Sequence, residues 1–105
     1  MNYRIRFHPL VARDLDAIAR WIHDYAGPDA AARKLGEIKA AIATLKAMPH
    51  KGSLRDEISL GLRAIPAGRK ALIAFVVDDD QREVPIHAVT YGGGEWAMRS
   101  SARRR

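Results

Sequence analysis

Apolar residues recur at helical spacing in two consecutive stretches of the chain. Steps of four, three, four and three residues place an apolar stripe along one side of each of two predicted helices. The first stripe is Val11, Leu15, Ile18, Ile22 and Tyr25, and the second is Ala31, Leu35, Ile38, Ile42 and Leu45. Because only Gly27-Pro28 separates the two stretches, we expect the helices to form an antiparallel hairpin.

Strand patterns lie on both sides of the predicted hairpin. Residues 3–7 alternate apolar and basic side chains, which predicts a strand with Tyr3, Ile5 and Phe7 facing the core. Residues 50–60 have no period and are predicted to be a loop. Three further strands are predicted at residues 61–65, 71–77 and 84–91, joined by turns at 66–68 and 78–81. The sequence therefore predicts an α+β fold, with an N-terminal strand, a two-helix antiparallel hairpin and a three-stranded antiparallel meander.

The chain length supports one domain rather than two, since it has 105 residues. We expect the domain to span residues 1–98 and the arginine-rich tail, residues 99–105, to be disordered. With no cysteine in the sequence, disulfides, thiolate metal sites and a cysteine nucleophile are excluded. No apolar stretch reaches the length of a signal peptide or a membrane span, so we expect a cytoplasmic protein without a membrane partner.

The net charge is strongly positive, at +6, from 18 Lys and Arg residues against 12 Asp and Glu residues. Such a balance favours an anionic partner, either nucleic acid or an acidic protein segment. The alternative is that the charge only keeps the surface soluble, because most of the basic residues are spread along the chain.

Candidate catalytic chemistry is sparse. The four histidines, His8, His23, His50 and His87, have no metal-ligand spacing, so neither a metal site nor a cofactor is predicted. One group of basic and aromatic residues lies on or beside the predicted strands: Arg63, Arg69, Lys70, His87 and Tyr91. A metal-free ribonuclease needs residues of these types as acid, base and phosphate ligands. Spacing alone leaves open whether they form a site or are scattered charges at strand edges.

Several short motifs, in this order and at these distances, resemble one known family. They are A-x-D-L-x-x-I-x-x-W-I at residues 12–22, P-x-x-G at 49–52, G-L-R at 61–63, the apolar strand at 71–77, and H-A-V-T-Y-G-G at 87–93. Together they resemble the ParE branch of the RelE/ParE toxins of bacterial type II toxin–antitoxin modules, over residues 3–96. The resemblance implies two helices packed on an antiparallel sheet, in agreement with the apolar pattern.

The same resemblance implies partners and a target. A ParD-like antitoxin, with a ribbon-helix-helix DNA-binding dimer, is expected to wrap the toxin with an acidic C-terminal segment, so that DNA is contacted only indirectly through the complex. The ParE branch implies inhibition of DNA gyrase by binding. The RelE branch, the alternative, implies cleavage of messenger RNA in the ribosome. A third possibility is a homologue that binds a partner and is not toxic.

Individual positions bear on the choice between the branches. Arg63 and Lys70 fall at basic positions of the RelE pattern, but Gly61, Gly92 and Met98 stand where further functional residues are expected. The ribonuclease set is therefore incomplete, and the resemblance favours a toxin without catalytic residues. If the chain were a ribonuclease, its set would be Arg63, Lys70, His87 and Tyr91.

Two groups of binding residues are predicted in addition. Glu95 and Trp96 follow the glycine-rich exit as in ParE-like sequences, and with Arg99 they are predicted to contact the target. Trp21, Tyr25 and Arg63 are predicted to contact the antitoxin, because large aromatic residues often anchor interfaces. For Trp21 and Tyr25 the alternative is packing in the core.

Overall fold

A computed structural model describes residues 2–92 and Arg103. The elements along the chain are β1 (Arg4–Phe7), α1 (Val11–Ala26), α2 (Pro28–Ala43), a 3-10 turn (Thr44–Lys46), β2 (Ser53–Leu54), β3 (Arg63–Ala67), β4 (Ala71–Phe75) and β5 (Glu83–Tyr91). The predicted α+β class and order of elements are confirmed. The five strands form one sheet in the order β1-β5-β4-β3-β2.

The helical hairpin forms as its apolar spacing predicts. Gly27 joins the helices with a φ of 93°, a conformation that favours glycine, and Pro28 opens α2 at a position where no N–H is needed. The buried side chains of both apolar stripes pack on the sheet. They are Val11, Ile18, Ile22, Ala31, Ile38, Ile42 and Leu45. The prediction that Tyr25 belongs to this stripe is wrong, because its side chain is 58% exposed.

The sheet is mixed rather than wholly antiparallel. β5, β4 and β3 form the predicted antiparallel meander, but β1 pairs with β5 in parallel, with Ile5 opposite Val84. The prediction that Phe7 faces the core is wrong, since this last residue of the edge strand is 55% exposed. An edge strand has a neighbour on one side only, so the end of β1 is less well covered than the central strands.

β3 is shifted by two residues from its predicted position. It spans Arg63–Ala67, so Pro66 lies within the strand rather than in the predicted turn. β2 pairs only with Arg63 and Ala64, which leaves an open edge where the missing N–H of a proline disrupts no ladder. β2 itself lies in the predicted loop, and a strand of two residues is too short to show a period.

Candidate functional site

Beyond the end of β1, no strand among residues 2–92 pairs with this edge of β5, and two charged side chains lie there. Asp14, on α1, accepts a hydrogen bond from the backbone N–H of Val89 at 3.0 Å. Arg103 donates to both carboxylate oxygens of Asp14, at 2.6 and 3.0 Å, and to the carbonyl oxygen of His87 at 3.2 Å. Their side chains are only 10% (Arg103) and 4% (Asp14) exposed. We call this pair, Asp14 and Arg103, the edge clasp.

The edge clasp contacts the backbone of β5 where no described strand pairs with it. A bidentate guanidinium–carboxylate contact satisfies both charges, and the remaining bonds satisfy one backbone donor and one backbone acceptor of the strand. Sequence reasoning missed it. The available signal was that Asp14 sits between Val11 and Ile18, within the apolar stripe. Arg103 belongs to the tail, residues 99–105, that is predicted to be disordered. The other residues of that tail lie outside the described part of the chain, so their disorder stays a prediction.

Two aromatic side chains project from α1 one turn apart. Trp21 is 63% exposed and Tyr25 58% exposed, and their rings meet edge to face with centroids 5.8 Å apart. The alternative that they pack in the core is therefore excluded. The hydroxyl of Tyr25 lies 3.1 Å from that of Tyr91 at the end of β5. This hydrogen bond is the main cause that raises the pKa of Tyr91.

A cavity of about 470 Å³ lies beside this tyrosine pair. It is lined by Lys34, Glu37, Gly68, Arg69, Lys70 and Tyr91, and we call it the cationic groove. Lys34 donates to Glu37 at 2.8 Å, and its ammonium lies 5.8 Å from the centre of the Tyr91 ring. The side chains of Arg69 and Lys70, in the turn between β3 and β4, are exposed and form no hydrogen bond or ion pair with any other residue that the structure describes.

Arg63 lies at the opposite end of β3 from that turn. Its guanidinium donates to the carbonyl oxygen of His50 at 2.8 Å. Ala67 lies four positions further along the strand, a distance of about 13 Å at the usual rise per residue. Arg63 therefore lies at the other end of the sheet from Tyr91 and its partner Tyr25, although all of Trp21, Tyr25 and Arg63 are predicted antitoxin contacts.

A polar cluster surrounds Arg63 at this end of the molecule. Asp79 accepts hydrogen bonds from the hydroxyl of Tyr3 at 2.6 Å and from the imidazole of His50 at 2.9 Å. The bond from Tyr3 is the main cause that lowers the pKa of Asp79, and the same bond raises the pKa of Tyr3. The cluster ties the N-terminus to the turn before β5.

The four residues of the ribonuclease hypothesis are not gathered at one point. Lys70 and Tyr91 lie at the same end of the sheet, where the N–H of Gly92 donates to the carbonyl of Lys70 at 2.8 Å. Arg63 lies at the other end. His87 is the extra residue of a bulge in β5 and lines a separate cavity of about 360 Å³, together with Ser59 and Glu83.

The remaining predicted positions divide into two groups. Gly61 lies in a turn and Gly92 at the end of β5, both with positive φ. Glu95, Trp96, Met98 and Arg99 lie outside the residues that the structure describes. Within the described residues, no group of three or more His, Asp or Glu side chains could hold a metal ion. In the same part of the chain, neither helix has the length and apolar character needed to cross a membrane.

A family model for the ParE toxin of the type II toxin–antitoxin system parDE matches residues 5–96. The chain belongs to this family. It is a ParE-type toxin, and the resemblance first indicated by its short motifs is confirmed. No protein in a search of curated proteins is similar enough to count as a match.

Three solved structures share the fold. A chromosomal ParDE system from P. aeruginosa has a TM-score of 0.74 at 22% identity, and the match covers 87% of this chain and 97% of that one. The RelE toxin of E. coli, solved in the free state as an arginine-to-alanine mutant, has a TM-score of 0.68 at 10% identity, covering 99% and 98%. The RelBE2 toxin–antitoxin complex of Mycobacterium tuberculosis has a TM-score of 0.59 at 22% identity, and the match covers 87% of this chain and 99% of that one. At these identities the likeness concerns the fold alone.

Proposed function

We propose that this ParE-type toxin acts in the cytoplasm by binding and inhibiting DNA gyrase, and that a ParD-like antitoxin neutralises it. The observation that carries the proposal is the separation of Arg63 from Lys70 and Tyr91 at opposite ends of the sheet. A metal-free ribonuclease needs its acid and its base within about 3 Å of the reacting atoms. The separation therefore supports action by binding rather than by catalysis.

The exposed aromatic pair supports the antitoxin part of the proposal. Trp21 and Tyr25 offer large rings at the surface, with a combined geometry already fixed by their edge-to-face contact. Rings of this kind are frequent anchors of protein interfaces. Arg63 remains a proposed antitoxin contact at the far end of the sheet, which a segment that wraps the toxin would reach. Glu95, Trp96 and Arg99 remain the proposed contacts to gyrase.

The test is controlled induction of the toxin in bacteria. We expect double-strand DNA breaks and a DNA-damage response, both suppressed when the protein encoded by the neighbouring reading frame is expressed together with the toxin. Growth arrest with intact DNA and cleaved messages would contradict the proposal. Normal growth at high expression, together with tight binding of that neighbouring protein, would indicate a homologue that has lost toxicity.

A RelE-like ribonuclease is the second candidate, because Arg63 and Lys70 fall at basic positions of the RelE pattern and the likeness to the RelE fold leaves this activity open. It requires the basic residues of the sheet, so replacing Arg63 and Lys70 together by alanine should abolish message cleavage in cells. Message cleavage at the wild-type level in this double variant would remove the second candidate.

A further inference from the structure

The cationic groove is built by three elements that meet at one end of the molecule. Lys34 and Glu37 come from α2, Gly68 to Lys70 from the turn between β3 and β4, and Tyr91 from the end of β5. Tyr25 of α1 does not line the groove, but its hydroxyl forms a hydrogen bond with that of Tyr91. Gly68 has a φ of 71°, and a Cβ built there would lie 2.5 Å from the carboxylate of Glu37 and 2.7 Å from the ammonium of Lys34. The positive φ favours glycine at this turn, and the ends of the Lys34 and Glu37 side chains occupy the space beside it.

The charge of the groove is unbalanced. Three cations face one carboxylate, which leaves a net charge of +2. Glu37 is already engaged by Lys34, whereas Arg69 and Lys70 have no acceptor for their side chains among the described residues. The side chain of Lys34 is only 17% exposed, so its charge is screened less by water than a free surface lysine. The groove therefore attracts an oxyanion.

The tyrosine pair adds a neutral donor to these cations. Two hydroxyls joined by one hydrogen bond retain one unused O–H between them. Either hydroxyl can be the donor of that bond, and the O–H that is left is available to an oxygen in the groove. Cations together with a hydroxyl donor suit the oxygens of a carboxylate.

Apolar surface next to the groove decides which class of macromolecule fits. Tyr25 belongs both to the tyrosine pair and to the ring contact with Trp21, so exposed aromatic rings continue directly from the cationic groove. The ring of Tyr91 lies close to the ammonium of Lys34, which occupies a face that a nucleic-acid base would need for stacking. Exposed aromatic rings and arginine side chains are enriched in protein interfaces.

We propose that the cationic groove binds a carboxylate side chain of an acidic peptide segment, while a neighbouring apolar side chain of the same segment packs on Trp21 and Tyr25. Under the proposed function, on which this step rests, the segment belongs to the antitoxin. The groove then gives the antitoxin its charge-dependent recognition, and the aromatic pair gives it apolar contact area.

The experiment measures binding of the full-length toxin variants to the antitoxin encoded by the neighbouring reading frame. Arg69→Gln with Lys70→Gln removes two groove cations, and Lys46→Gln removes one exposed cation that lies outside the groove, next to Tyr3. Association and dissociation are followed by biolayer interferometry at low and high salt, and folding is checked by thermal melting. Tyr91→Phe removes the phenol donor and leaves the ring in place.

We expect the double variant to bind the antitoxin about five- to thirtyfold more weakly, as two exposed charge contacts suggest. Its salt dependence should be shallower, and most of the loss should lie in the association rate. Tyr91→Phe should weaken binding by about threefold to tenfold, the usual range for one hydrogen bond. Lys46→Gln should change the affinity by less than about twofold.

Each other outcome is informative. Antitoxin affinity equal to that of the wild type in the double variant overturns the inference and leaves the antitoxin partnership intact. Loss of binding to a 30-base-pair DNA duplex, with antitoxin affinity unchanged, overturns it in favour of a nucleic-acid site. No binding of the antitoxin to wild-type toxin overturns both this inference and the antitoxin part of the proposed function. If the double variant binds the antitoxin more weakly but the wild-type toxin does not affect gyrase, only the proposed gyrase target is overturned.

Discussion

Replacing Asp14 by alanine should destabilise the toxin far more than replacing a surface aspartate. The change removes the acceptor for the Val89 N–H and the counter-ion of Arg103. A buried donor left without a partner costs about 1–3 kcal/mol. Arg103 lies near the chain end and can turn into water, so its lost contacts add only about 1 kcal/mol rather than the full cost of a buried charge. The expected loss of unfolding free energy is therefore about 2–4 kcal/mol.

Urea denaturation measures this loss directly. With a slope of about 1.5 kcal/mol per molar urea, typical of a chain of this size, the midpoint should fall by about 1–3 M. Asp16→Ala is the matched control, because this aspartate is exposed on the same helix; its effect should stay within about 0.5 kcal/mol.

The partner variant separates the ion pair from the hydrogen bond to the strand. Arg103→Ala leaves the bond between Asp14 and Val89 in place and opens Asp14 to water, so we expect a loss of about 1–2 kcal/mol. In the double variant the two losses should not add, because either change alone breaks the clasp. An Asp14→Ala variant as stable as Asp16→Ala, or losses that add fully, would refute the role assigned to the edge clasp.

Four further predictions concern other parts of the molecule. Tyr3→Phe should lower the free energy of unfolding between about pH 4 and pH 10, because it removes the hydrogen bond that lowers the pKa of Asp79 and raises the pKa of Tyr3. The lowered pKa of Asp79 stabilises the fold above the ordinary carboxyl value of 3.8, and the raised pKa of Tyr3 stabilises it below the ordinary phenol value of 10.0. Denaturation at stepped pH should show the variant and the wild type converging as the pH falls below that range. Gly52→Ala should cost about 2–3 kcal/mol, since a Cβ there would lie 2.5 Å from a backbone oxygen of β3 at a φ of 89°. Gly36 lies in the middle of α2, and a Cβ built there would have no atom from outside the helix backbone within 4 Å. Gly36→Ala should therefore raise the free energy of unfolding, measured by urea denaturation, by at most about 1 kcal/mol. Trp21→Ala should leave the melting temperature nearly unchanged and weaken antitoxin binding by about 2 kcal/mol or more, measured by biolayer interferometry; binding at wild-type strength would exclude it as an anchor.

Most of the fold could be predicted because its elements are long enough to show a period. Five apolar positions at helical spacing define each helix, and the continuous apolar run at residues 71–77 matches the central strand β4. Tyr25 was misplaced because a stripe on a helix wheel does not say where the sheet beneath it ends. Phe7 was misplaced for a related reason, since alternation identifies a face but not whether the strand lies at an edge.

The pairing of β1 and the shape of the candidate surfaces depend on contacts between distant residues. Nothing local distinguishes a parallel from an antiparallel partner for β1. The edge clasp joins positions 89 residues apart, and the cationic groove collects residues from three elements. Spacing along the sequence carries no information about such convergence. Their large aromatic side chains made Trp21 and Tyr25 binding candidates, and their exposure agrees with that interpretation.

We propose that the toxin acts on gyrase by binding and does not cleave messages. The most direct measurement adds the purified full-length toxin to gyrase and supercoiled plasmid with ATP, and follows linear DNA after detergent and protease treatment, with antitoxin-saturated toxin as control. If the toxin acts on gyrase, linear DNA should increase with toxin concentration and should be absent in the control. Plasmid that stays intact, while the same toxin cleaves messages in a ribosome translation reaction, would contradict it.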